Sequence, residues 1–140
     1  MVLQSIHLKD MEGIWHSHKC VRLTQETFSQ YKKNAVSMID TVSWKTAIHS
    51  SHKGFCHQRY KPNLLIDINP GDNFIKADQK LGISDVRLLV MKSGHKCHQN
   101  CPLFIMQGSA CLWAESIYYA AVLQSGTICI NDPVVINPGN

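Results

Sequence analysis

SACLWAESIYYAAVLQ, residues Ser109 to Gln124, is the stretch on which the fold turns. Its Ala, Leu, Trp and Tyr content reads as a helix, and Gly126 stands where a left-handed residue would end it. Working outward, Thr24 reads as the N-cap of another helix over about residues 25–39. There Phe28, Tyr31, Ala35, Met38 and Ile39 fall on one apolar stripe. Leu64 to Ile68 is a short strand ended by the turn Asn69-Pro70-Gly71-Asp72, and Val86 to Met91 is a second. Thr127 to Ile130 and Val134 to Ile136 are strands around Asn131-Asp132-Pro133. Val42, Trp44 and Thr46 alternate as in a strand, although Thr41 to Ile48 stays open between helix and strand. Ser50 to Pro62 and His95 to Pro102 read as polar loops. Helices and strands mix without regular βαβ order. The expected class is therefore α+β, a short mixed or antiparallel sheet packed on two main helices (about 25–39 and 109–124) with long irregular loops.

A chain of 140 residues with 44% hydrophobic content fits one domain, 1–140, able to fold on apolar burial. No internal repeat or low-complexity tract interrupts it. The net charge of +4 is mild, and the densest basic run is Lys32-Lys33. That admits an anionic partner such as nucleic acid, without a concentrated polyanion patch. The eight histidines would add positive charge on acidification. The N-terminus lacks a basic segment followed by an apolar core, and no Asn-x-Ser/Thr sequon occurs. These features favour an intracellular chain, while a mature secreted chain would look the same. No apolar run approaches the roughly 20 residues of a membrane-spanning helix.

Six cysteines and eight histidines are the compositional outlier. Six of the histidines and four of the cysteines fall in three short runs, 16–20, 52–57 and 95–101. The densest is Gly94-His95-Lys96-Cys97-His98-Gln99-Asn100-Cys101. Tetrahedral zinc takes four N or S ligands, and a short loop supplies two of them when they stand two to four residues apart. Cys97-x3-Cys101 and His52-x3-Cys56 both fit, giving a Cys3His site of His52, Cys56, Cys97 and Cys101. His57, His95, His98 and Cys20 are alternate ligands. With four protein ligands the ion would hold loops together and leave no open position for chemistry. The same cysteines admit two other readings: disulfides in an oxidising compartment, as in a secreted or viral interaction domain, or free thiols. Cysteine content is well below the roughly 8–10% of a disulfide scaffold.

The segment His95-x-Cys97-His98 with Cys101-Pro102-Leu103 resembles the first half of the His/Cys-rich loop of small His-Me finger nucleases. That resemblance implies a metal-dependent nuclease. The chain departs from the family in lacking the closing Asn-Pro-x-His.

Cys111 stands near the start of the 109–124 element, where helix N–H groups lower a thiol pKa. Gln107, four residues upstream, is a candidate oxyanion donor. The surrounding Gln-Gly…Cys…Trp-Ala looks loosely papain-like, but Leu112 separates Cys111 from Trp113 and no histidine follows Cys111. The order His, acid, Gln, Cys is similar to that of adenain and SUMO-protease enzymes. Mapped here, it implies His57, Asp67 or Asp72, Gln107 and Cys111 as a small Cys/His hydrolase. The competing reading has Cys111 and Cys129 as small buried residues of regular structure.

Three functions follow: a zinc-stabilised binding domain with an anionic partner, a disulfide-stabilised interaction domain, or a small hydrolase or nuclease.

Overall fold

A computed structural model describes residues 1–26, 35–94 and 96–139 of the chain. Eight of their ten strands form one mixed sheet. Its strands are β1 (Val2–Lys9), β2 (Trp15–His18), β4 (Val36–Asp40), β5 (Leu64–Asp67), β6 (Lys80–Ile83), β7 (Val86–Ser93), β8 (Tyr118–Gln124) and β10 (Val134–Ile136). They are ordered β10-β6-β7-β8-β4-β5-β1-β2. Strands β3 (Cys20–Leu23) and β9 (Gly126–Cys129) pair separately as a two-stranded ribbon. All pairings are antiparallel except β4 with β5, where Met38 stands opposite Leu64 and Asp40 opposite Ile66. The crossover between those parallel strands carries α1 (Thr41–Ile48) and α2 (Phe55–Arg59). Two further short helices, α3 (Pro102–Gln107) and α4 (Leu112–Ser116), follow β7.

The expectation of a sheet packed on two main helices is overturned at both. Within 109–124, only Leu112–Ser116 is helical, and Tyr118–Gln124 is a central strand bonded to β4 on one side and β7 on the other. Its burial alternates, with Tyr118, Ala120 and Val122 buried and Tyr119 and Ala121 half-buried. Hydrogen-bond ladders on both edges outweigh the fractions of a kcal/mol by which alanine favours a helix. Gly126 accordingly opens β9 instead of ending a helix. Of the expected helix over 25–39, the last part is β4, buried at all five positions, and residues 27–34 lie outside the described residues. Thr41–Ile48, by contrast, is helical. Asp40 caps it through a carboxylate that accepts from Ser43 N at 2.7 Å and from Ser43 Oγ at 2.7 Å.

Burial on both faces of β4 explains its apolar run. Val36 and Met38 join the main core with Leu3, Ile6, Leu64, Ile66, Leu88 and Val90. Ile39 faces the opposite way into a smaller core around Trp113, with Ala47 and Ile117. Trp44 of α1 stacks on Trp113 at 5.0 Å, and the Trp113 indole N–H donates to the Ser43 carbonyl at 2.9 Å. This second core fixes α1, α2 and α4 on one side of the sheet. No described helix is long and apolar enough to cross a membrane.

Candidate thiol site

Three helix starts converge beside Trp113, and each brings a cysteine. Cys56 is the second residue of α2, Cys101 is the N-cap of α3 and Cys111 is the N-cap of α4. Cys97 comes from the loop after β7. That loop leaves its strand at Gly94, whose backbone has φ +75°. A Cβ there would lie 2.6 Å from the Ala114 carbonyl oxygen, so only glycine lets the loop pass so close to the end of α4. The loop then turns through Cys101 N to His98 O at 3.0 Å and Asn100 N to His98 Nδ1 at 3.1 Å.

The four thiols interact. Burial raises the Cys56 thiol above its ordinary value, and the neighbouring Cys111, Cys97 and Cys101 raise it further because adjacent thiolates repel. Burial likewise raises Cys97, although the Cys111 backbone N–H hydrogen-bonds to it and acts the other way. Cys101 moves in the opposite direction. Burial opposes its charge, yet backbone N–H groups of Phe104, Phe55 and Leu103 and the side chain of Cys97 all hydrogen-bond to it and bring it below the usual thiol value. Its residue is only 5% exposed. The Cys101 sulfur thus sits against N–H groups from the first turns of two helices. Gly54 permits it: a Cβ on Gly54 would lie 2.8 Å from Cys101 Sγ.

Of the residues singled out from sequence, Cys56, Cys97 and Cys101 come together, and Cys111 joins them. His52 is exposed, and its backbone exchanges hydrogen bonds with Ser50 Oγ. His57 packs edge-on against Trp113 at 4.7 Å and accepts from Gly54 N at 3.2 Å through Nδ1, which leaves its proton on Nε2. Burial, then the charge of Lys53, lowers its pKa. His98 turns its ring edge to Phe55 at 5.6 Å, and His95 lies outside the described residues. Cys20 is removed from the set by a disulfide to Cys129, its partner across the β3–β9 ladder. Among the described residues, no group of three or more His, Cys, Asp or Glu side chains is placed to hold a metal ion.

His57, Gln107 and Cys111 line one pocket of about 120 Å³ together with Trp113. The acids mapped for a hydrolase are engaged elsewhere. Asp67 accepts from Thr41 Oγ1 at 2.7 Å, while Asp72 accepts from Asn69 N at 2.8 Å and pairs with the Met1 amino group at 3.2 Å. His57, with Nδ1 engaged and Nε2 protonated, offers a donor and not a base. Cys111 stands apart from the other thiols in the linear sequence, where nothing places α4 beside α2. Its position at a helix start was the available signal.

No family model matches the chain, and no curated protein does. The chain is similar to the crystal structure of YiiM from Geobacillus stearothermophilus at 12% identity and a TM-score of 0.49, over 96% of this chain and 72% of that one.

Proposed function

We propose that this protein is a small binding domain whose loops are tied by one zinc ion held by Cys56, Cys97, Cys101 and Cys111. The observation that carries the reading is the gathering of four cysteines outside the disulfide, three of them at helix starts and Cys97 on the loop after β7. Cys111 takes the place that the sequence alone gave to His52. The N–H groups on Cys101 are the kind of outer hydrogen bonds that stabilise a metal thiolate by sharing its charge. Binding draws the four sulfur atoms to about 2.3 Å from one centre and releases their protons, so affinity rises with pH. Four protein ligands make the ion structural. The net charge of +4, with Lys92 and Lys96 flanking the loop, suits an anionic partner such as nucleic acid.

Metal analysis of untagged protein tests the first part. About one zinc per chain is expected, with loss in a Cys56→Ser/Cys97→Ser double variant; fewer than about 0.3 per chain in the parent sinks the reading. Retarded migration of generic RNA or DNA that weakens with added salt is expected for the partner. Its absence at about 50 mM salt removes the nucleic-acid claim.

A second reading is favoured by the Cys20–Cys129 bridge alone: a disulfide-stapled domain that binds another protein. Under that reading the parent holds no zinc, and reduction alone loosens it.

A further inference from the structure

Of the four cysteines beside Trp113, two meet along one short loop. Cys97 and Cys101 are separated by three residues, and the turn between them closes through Cys101 N to His98 O at 3.0 Å. The Cys97 S–H donates to the Cys101 sulfur, so the two side chains already face each other. Closing so short a loop costs little chain entropy.

The pair has an outer and an inner member. Cys97 is partly exposed and lines a surface hollow of about 470 Å³ with Lys96, His98, Gln99 and Asn100. Cys101 does not line that hollow. It is buried, and its sulfur lies against Gly54, where a Cβ would stand 2.8 Å away. A reagent arriving from solvent therefore reaches Cys97 first and Cys101 only through it. Cys111 opens instead onto the pocket that it shares with His57 and Gln107. An accessible sulfur backed by a buried one in contact suits thiol–disulfide exchange, in which the outer sulfur attacks and the inner one resolves the mixed disulfide.

We infer that Cys97 and Cys101 are a redox-active dithiol that exchanges with small disulfides reaching it through the hollow. The Cys97 sulfur attacks one sulfur of the small disulfide R–S–S–R and breaks its S–S bond. A mixed disulfide Cys97–S–S–R forms, and one RSH leaves carrying the Cys97 proton. The Cys101 sulfur then attacks the Cys97 sulfur, which forms the Cys97–Cys101 bond and expels the second RSH with the Cys101 proton. Two electrons pass from the cysteine pair to the small disulfide, and excess small thiol runs the sequence backwards. The inference needs no zinc; where zinc is bound, closing the pair withdraws two of its four ligands.

Hydroxyethyl disulfide added to the full chain, as purified and again after a chelator, tests it by acid quenching, alkylation and peptide mapping. In the folded protein the Cys97–Cys101 bridge should outnumber every other new cysteine pairing by about tenfold, with Cys56 and Cys111 still open to alkylation on unfolding. In Cys101→Ser the mixed disulfide on Cys97 should accumulate, because nothing resolves it. In Cys97→Ser a mixed disulfide on Cys101 should form about tenfold more slowly than that. Three results overturn the inference. One is no Cys97–Cys101 bridge in either preparation. Another is consumption of Cys56 or Cys111 as fast as the pair in the folded parent. The third is a Cys97→Ser variant, of parent circular dichroism, whose Cys101 reacts as fast as Cys97 does in Cys101→Ser. Because zinc content is measured separately, a zinc-free protein that closes the pair sinks only the metal reading. A zinc-loaded protein that never closes it, even after the chelator, sinks only the dithiol.

Discussion

At Gly54 an added methyl group would stand 2.8 Å from Cys101 Sγ and 3.4 Å from Leu103 Cβ. Gly54→Ala must therefore part the Cys101 sulfur from the start of α2, and so from the Phe55 N–H. Because N–H groups hold Cys101 below the ordinary thiol value, losing one raises it. Mass-mapped alkylation across pH should show the Cys101 profile displaced upward in the variant; an unmoved profile refutes the N–H seat. A depressed thiol also carries a sign: it stabilises the fold above the unfolded thiol value and loses that contribution as pH falls through the folded value. His57 and His7 are likewise depressed, both chiefly by burial, and both resist protonation in the folded state. Their contribution is full above pH 6.5 and is lost as pH falls through their folded values. Melting temperature should therefore drop between about pH 7 and pH 5, before the carboxylates begin to titrate. His57→Gln should flatten part of that slope. An identical slope in the variant removes His57 from the account.

The elements were legible in the sequence where a turn signal or strict alternation marked them. Asn69-Pro70-Gly71-Asp72 closes on itself through Asp72 N to Asn69 O at 3.0 Å, and β5, β7 and β10 lie on the runs that their apolar residues indicate. The misread elements are the central ones. β4 is buried on both faces and β8 is alanine-rich, so neither displays the period of two against a polar background that identifies a half-exposed strand. The thiol site divides in the same way. Cys56, Cys97 and Cys101 stood out by their spacing, whereas Cys111 enters only through the chain reversal that places α4 beside α2. Strand status of β8 has a direct test. Ala120 stands opposite Val36 on one side and Val90 on the other, fully buried. Ala120→Pro removes a ladder donor and forces its ring into a two-sided pairing, at a cost of about 3 kcal/mol or more in urea unfolding. A helix in solution over 109–124 would instead place residue 120 deep inside it and show up as excess helical circular dichroism in the parent.

Across the whole molecule, the Cys20–Cys129 bridge joins positions 109 residues apart and locks β3 to β9. A two-stranded ribbon is marginal by itself, and these two strands must find each other across most of the chain. The bridge confines that search in the unfolded state, so a chain-entropy account gives it about 2–5 kcal/mol. The ribbon is also anchored without it, since Leu23 and Ile128 are fully buried in the main core. Reduction should therefore lower stability without dissolving the fold. Cys20→Ser/Cys129→Ser is expected to keep the parent circular dichroism and lose about 2–5 kcal/mol in denaturant unfolding. Alkylation of unfolded, unreduced parent should label Cys56, Cys97, Cys101 and Cys111 and spare Cys20 and Cys129, with a mass two hydrogens below the fully reduced chain. The two thiol classes then respond to different reagents. A mild phosphine should open the bridge and lower the melting temperature; if zinc is bound as proposed, its content stays unchanged, and a chelator removes it while the bridge stays closed. Six labelled cysteines before reduction, together with a melting temperature indifferent to phosphine, would mean that β3 and β9 are held by Leu23 and Ile128 alone.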